Sequence, residues 1–124
     1  MRNSATAPTR ILVVDDERLI ADTIVAILRR DGFDAIATYS GTEAVREATT
    51  LCPDIMLSDF YMPGINGLEA AKLVREVCPD VKVILLSGQA SAIEFLDRLE
   101  KPDFDFRLLA KPIRPEVLLA TLRS

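Results

Sequence analysis

The chain has 124 residues, 49% hydrophobic and 27% charged, which suits one compact domain with a substantial core and argues against global disorder. The net charge of −4 comes from interspersed acidic and basic residues; no Lys/Arg run marks a nucleic-acid groove, and no direct nucleic-acid partner is expected. Histidine is absent and neither cysteine belongs to a Cys-x-x-Cys pair, so the usual zinc sites are excluded and any chemistry rests on carboxylates, a lysine, hydroxyls or another metal.

Residues 1–9 form a polar leader without the apolar segment of a secretory signal, and the domain is expected over 10–124. No apolar run approaches the ~18 residues of a membrane span, so no membrane insertion and a cytoplasmic location are expected. The β-branched run 11–14 reads as a strand ending at Asp15-Asp16. Leu19, Ile20, Ile24, Ile27 and Leu28 are expected on one helical stripe, which Asp31-Gly32 closes. Residues 34–38 read as a weaker strand. Ser40-Gly41-Thr42-Glu43 has the Ser-x-x-Glu form of a capping box and opens a second helix to about Thr50. Residues 55–58 form a buried strand, followed by a loop over 59–66. Gly67 begins a third helix with Leu68, Ala71, Val74 and Val77 inward. The run 81–86 is the strongest strand candidate. A fourth helix is expected over 91–100, an irregular segment over 101–105, a fifth strand over 106–110 and a fifth helix over 115–122, with proline in its first turn.

Five strands alternating with five helices imply a parallel sheet covered on both faces. Cys52 and Cys78 each open a Cys-Pro-Asp tripeptide before an apolar run. They are read as two buried or half-buried thiols in a reducing compartment rather than as a disulfide.

Ligands of an open parallel sheet bind at the carboxyl ends of its strands. Strand one ends in Asp15-Asp16, strand three in Asp59, strand four in Ser87-Gly88 and strand five in Lys111-Pro112. Each has an ordinary explanation taken singly: a helix cap, a turn residue, a hydroxyl bound to backbone, a solvated lysine. Together they predict one pocket of three carboxylates, a hydroxyl and an ammonium. Clustered carboxylates repel one another, and a hard divalent cation relieves that repulsion. Magnesium takes one or two carboxylates, waters and a phosphate oxygen, whereas calcium wants more oxygen ligands than this loop supplies. One carboxylate is then placed to attack phosphorus, with metal and lysine offsetting the transferred charge.

Three stretches carry a family resemblance: Ile11-Leu12-Val13-Val14-Asp15-Asp16-Glu17, the run from Pro53 through Leu57-Ser58-Asp59-Phe60-Tyr61-Met62-Pro63-Gly64 to Gly67, and Leu109-Ala110-Lys111-Pro112. They resemble the CheY-like receiver domains of two-component response regulators, over 10–122. The resemblance implies an α/β, flavodoxin-like, doubly wound (βα)5 fold with strand order 2-1-3-4-5. It implies that Asp59 is the phosphoacceptor and that Mg2+ is the cofactor. Asp16, the Asp59 carboxylate and the Tyr61 backbone carbonyl are its implied ligands, with Asp15 acting largely through metal-bound water. Ser87 and Lys111 match the family's hydroxyl and lysine positions, and the Lys111–Pro112 bond is implied to be cis. The implied phosphodonor is a histidine kinase or histidine phosphotransfer protein, and the output is contact with an unidentified downstream protein.

The chain departs from the family pattern in two places. Leu108 stands where relatives carry an aromatic switch ring, and Phe106 lies on the same strand face. The segment before strand five reads Lys101-Pro102-Asp103-Phe104-Asp105. The rearrangement is therefore expected to run through 88–91 and 101–105. The expected partner surface is the fourth helix, fifth strand and fifth helix, with Phe95, Phe104 and Phe106 as apolar elements and a homodimer as one form of contact; Phe106 reads equally well as core. Tyr61 and Gln89 flank the pocket and are expected to influence water access.

Two other function classes fit the sequence less well. A phosphohydrolase needs a second acid/base and a cap for which there is no spare length, so the chain is expected not to be an enzyme. A nucleotide or flavin module needs a glycine-rich loop after strand one, and none is there. Met1 and the short leader favour a stand-alone, single-domain regulator over a receiver excised from a larger protein.

Overall fold

The computed structural model describes residues 7–88 and 105–124. Its elements are β1 (Arg10–Val14), α1 (Arg18–Arg30), β2 (Asp34–Thr38), α2 (Gly41–Thr50), β3 (Ile55–Asp59), α3 (Gly67–Val77), β4 (Lys82–Ser87), β5 (Phe106–Ala110) and α4 (Pro115–Arg123). The expected helix over 91–100, with Gln89, Phe95 and Phe104, lies outside the described residues.

The strands form one parallel sheet in the order β2-β1-β3-β4-β5, as expected. Alternation along each strand sends successive side chains to opposite faces. On one face Leu12, Val14, Met56, Val83 and Leu85 pack against α2 and α3 through Ala44, Ala48, Leu68, Ala71 and Val74. On the other, Ile11, Val13, Ile55, Leu57, Ile84 and Leu86 pack against α1 and α4 through Ala21, Ile24, Leu28, Leu118 and Leu122. Burial on both sides is why β1, β3 and β4 read as unbroken apolar runs. Phe106 and Leu108 are both half-buried against the α2/α3 face, so Phe106 does share the face of Leu108.

Two inward assignments are corrected. Leu19 is 81% exposed and Val77 42% exposed. At about 100° per residue, Leu19 sits roughly opposite Leu28, and Val77 roughly opposite Leu68. The buried stripe of α1 is instead Ala21, Ile24, Val25 and Leu28.

Ser40 caps α2, accepting the Glu43 N–H at 3.1 Å. The reciprocal capping box forms one helix later, where Asn66 Oδ1 accepts the Glu69 N–H at 2.8 Å and Glu69 Oε1 accepts the Asn66 N–H at 3.0 Å.

The largest correction concerns the cysteines. Cys52 and Cys78 are joined in a disulfide. Two successive strand–helix units run side by side, with Ile55 registered against Lys82, so the equivalent Cys-Pro-Asp tripeptides before β3 and β4 meet at the amino ends of those strands.

Candidate functional site at the carboxyl ends of the strands

β1, β3, β4 and β5 all point their carboxyl ends toward one corner of the sheet, and each delivers a polar group there. Asp15 follows β1 and is buried; its Oδ1 accepts the Glu17 N–H at 2.9 Å and its own N–H donates to the Thr38 carbonyl at 3.1 Å. Glu17 is the N-cap of α1 and makes no side-chain cap bond. The Asp15-Asp16 pair therefore does not serve as the N-cap of α1. Asp16 is exposed and Asp59, the last residue of β3, is half-buried. One carboxylate oxygen from each of Asp15, Asp16 and Asp59 lies within 4.8 Å of the others.

Lys111 reaches into this group from just past β5. Its Nζ lies 3.2 Å from Asp59 Oδ1 and 3.5 Å from Asp15 Oδ2. The lysine is not a solvated surface group: its side chain is 24% exposed and held between two carboxylates. Its N–H donates to the Ser87 carbonyl at 2.9 Å, and the peptide bond to Pro112 is cis. Ser87 is the buried final residue of β4, registered opposite Ala110 and one residue past the Asp59–Leu86 pair.

Burial raises the Asp59 pKa, because it disfavours the carboxylate; Asp15 and Asp16 push the same way and Lys111 opposes them. Burial alone would lower the Lys111 pKa, but attraction to Asp59 and Asp15 and hydrogen bonds to both leave it raised. The ammonium is thus locked in its charged form while Asp59 is harder to ionise than an ordinary aspartate. Three carboxylates facing one ammonium at these separations suit a hard divalent cation, so the donor set fits magnesium.

The loop after Asp59 is anchored at several points. Phe60 is fully buried, donates its N–H to the Leu86 carbonyl at 2.8 Å, and accepts the Gly67 N–H at 2.8 Å. Tyr61 is 39% exposed, with its ring edge-on to Phe60 at 4.9 Å. Gly64 has φ 80°, the left-handed value that glycine supplies after proline in a turn. The asparagine–glutamate box then starts α3.

Asp15, Asp16, Asp59 and Lys111 are thus brought together as expected, with Ser87 at the adjoining strand end and Tyr61 two residues beyond Asp59. Sequence reasoning missed the support. Asn66-x-x-Glu69 carries the same capping signature that was noticed at Ser40. Gly67 matters because a Cβ there would fall 2.2 Å from the Asp59 carbonyl oxygen, a steric fact with no signal in the sequence.

A family model for the response regulator receiver domain matches residues 11–123. The chain belongs to that family. Among curated relatives, this receiver domain is 32% identical over 119 residues to the DNA-binding response regulator MtrA of Mycobacterium tuberculosis; the match covers 96% of this chain and 51% of MtrA. The receiver domain thus spans about half the length of the curated relatives it matches. Among solved structures, it superposes on the chemotaxis response regulator CheY4 of Vibrio cholerae with TM-score 0.81 and 28% identity, covering 94% of this chain and 98% of that one. It superposes on the response regulator TrrA of Thermotoga maritima, solved in complex with Mg2+-BeF, with TM-score 0.78 and 30% identity, covering 93% and 96%. No helix among the described residues is long and apolar enough to cross a membrane.

Lys111→Ala is expected to remain folded, with an unfolding midpoint within about 5 °C of wild type, because it removes no core volume. Its response to a phosphoryl mimic, followed by chemical shifts, should be lost. A large fall in midpoint with an intact response would make the lysine structural.

Proposed function

We propose that Asp59 accepts a phosphoryl group from a histidine kinase or histidine phosphotransfer protein, and that the phosphorylated domain signals through protein contacts. The observation that carries this reading is the placement of Lys111 Nζ between Asp59 and Asp15, with Asp16 completing a carboxylate group at the strand ends. The Asp59 carboxylate oxygen bonds to phosphorus as the bond to the donor nitrogen breaks. Lys111 offsets charge on the transferred oxygens, and the Ser87 hydroxyl donates to one of them. Asp16, Asp59 and the Tyr61 carbonyl would hold Mg2+, and Asp15 would act on it through water. When bound, Mg2+ offsets the carboxylate repulsion and the charge of the phosphoryl oxygens. The Mg2+-BeF complex of TrrA supports this assignment by analogy.

The domain acts as a switch, not an enzyme turning over small substrates, and its setting is the cytoplasm, where such donors operate. MtrA is by name a DNA-binding regulator; residues 10–124 carry no basic run suited to DNA, so the contacts assigned to them are with proteins. The homodimer and the partner surface around β5 and α4 belong to this reading too.

Incubation with acetyl phosphate and magnesium should add one phosphoryl group by intact mass, and chelation should prevent it. Continuous turnover of small phosphoesters, without a labelled protein, would favour a phosphohydrolase instead. Asp16→Ala should weaken Mg2+ binding on the order of tenfold, and Glu17→Ala much less, because a direct carboxylate ligand is lost only in the first. Equal titration curves for wild type and Asp16→Ala would remove Asp16 from the ligand set.

A further inference from the structure

The bond between Cys52 and Cys78 closes a covalent ring whose two ends are 26 residues apart in sequence. Inside that ring lies the whole unit that presents the acceptor: β3, the loop from Phe60 to Asn66, and α3. At its upper end the unit is held by the Gly67 N–H on the Phe60 carbonyl and the close approach of Gly67 to Asp59. At its lower end, at the amino ends of β3 and β4, it is held by the disulfide.

Two observations make this pair more than a fixed cross-link. Cys52 is exposed, so a small thiol or disulfide can reach its sulfur without unfolding the domain, whereas Cys78 is 4% exposed. Each sulfur also has a backbone carbonyl near it that a thiol could use: Val77 O lies 3.8 Å from Cys52 Sγ, and Ala48 O lies 3.6 Å from Cys78 Sγ. Reduction therefore leaves Cys78 packed as a small apolar side chain with an acceptor, and Cys52 at the surface with another. The reduced pair is therefore expected to keep this backbone. A disulfide in a compartment kept reduced by glutathione is usually transient or redox-sensing rather than a permanent brace.

We propose that Cys52 and Cys78 form a reversible dithiol–disulfide pair, with Cys52 as the site of attack and Cys78 as the resolving thiol, which staples the Asp59-bearing unit when oxidised. The oxidant is a low-molecular-weight disulfide of the glutathione type. The Cys52 thiolate attacks one of its sulfurs, forming a mixed disulfide and expelling one thiolate, which takes up the proton Cys52 lost. The Cys78 thiolate attacks the Cys52 sulfur and expels the second thiolate, which takes up the Cys78 proton. Two protein thiols and one small disulfide become one protein disulfide and two small thiols. Reduction runs the same steps in reverse. This chemistry goes beyond phosphoryl acceptance and stands without it.

The test uses the full chain, fully reduced and then equilibrated with glutathione disulfide, without denaturant. Alkylation and intact mass should show both thiols blocked, and dithiothreitol should restore both while circular dichroism stays native. The oxidised form should melt about 10 °C above the reduced form, because the cross-link restricts the unfolded chain. Amide exchange should be slower in the last turn of α3 in the oxidised form. Cys52→Ser should melt with reduced wild type and lose all dependence on glutathione. Persistent alkylation of both thiols after glutathione disulfide would overturn the proposal. So would a bond that resists dithiothreitol until the chain unfolds, or equal melting of the two forms.

Discussion

Asp59→Asn is expected to abolish phosphoryl uptake and to raise thermal stability at the same time. Loss of the carboxylate removes the nucleophile, and labelling by acetyl phosphate should fall on the order of 100-fold or more. Residual labelling at Asp15, Asp16 or Ser87 would move the acceptor elsewhere. The stability effect follows from charge. A carboxyl whose folded-state pKa is raised stabilises the fold most below its unfolded-state value, and that contribution is lost as pH rises through the folded-state value. Burial, with Asp15 and Asp16, raises the Asp59 pKa despite Lys111. At neutral pH, in metal-free buffer, the ionised Asp59 is therefore a net cost to the fold. Asparagine keeps the shape and removes the charge. Its unfolding midpoint at pH 7 should exceed that of wild type by about 2–5 °C. The gap should shrink as pH falls into the range where Asp59 protonates, and added magnesium should narrow it by stabilising wild type more than the variant, which lacks one carboxylate ligand. A lower midpoint for the variant at pH 7 would mean that the Lys111 ion pair outweighs desolvation.

Gly67→Ala should be the most damaging glycine-to-alanine change among the described residues. The added Cβ would lie 2.2 Å from the Asp59 carbonyl oxygen and 3.1 Å from both the Asp59 carbonyl carbon and Phe60 Cα. These are backbone atoms, so no rotamer relieves the clash. Either the start of α3 moves outward, breaking the Gly67–Phe60 hydrogen bond, or Asp59 is displaced. A loss of about 2–4 kcal/mol is expected, with a midpoint lower by roughly 8–15 °C. Phosphoryl uptake should fall even where the variant is folded, because the acceptor loop is held from this point. Gly88→Ala is the control. Among the described residues a Cβ there meets Lys111 side-chain carbons, at 3.7 Å and beyond, an ordinary contact. Equal stability of the two variants would show that the Gly67 contact relaxes easily.

Much of this could be read before the fold was known, and the reason is local. β1, β3 and β4 announce themselves because strands covered on both faces need unbroken apolar runs. The site announces itself because each of those runs ends in a polar residue of the right type, and strand ends are where a parallel sheet gathers them. What escaped depended on three-dimensional neighbours. Leu19 and Val77 are the exception: both are apolar, but the helical angle, which the sequence already supplies, puts them opposite Leu28 and Leu68. Cys52 and Cys78 repeat the same tripeptide, yet their bond needs the register of β3 against β4 to bring the two connections side by side. The Gly67 contact is invisible because a missing side chain leaves no pattern.

The two halves of the site rest on unequal foundations. β1 and β3, which carry the carboxylates, are interior strands with neighbours on both sides, and nearly every side chain on them is buried. β5, which Lys111 follows, is the last strand of the sheet among the described residues, paired there with β4, and none of its five side chains is fully buried. Local rigidity follows buried contacts. The anionic half is therefore an anvil, and the cationic half is the compliant rim that closes against it. The Lys111 N–H is bonded to the Ser87 carbonyl, which ties the rim to the end of β4, the strand that carries the hydroxyl. If Asp59 takes up charge as proposed, the expected movement is at β5, with β1 and β3 held still by their burial.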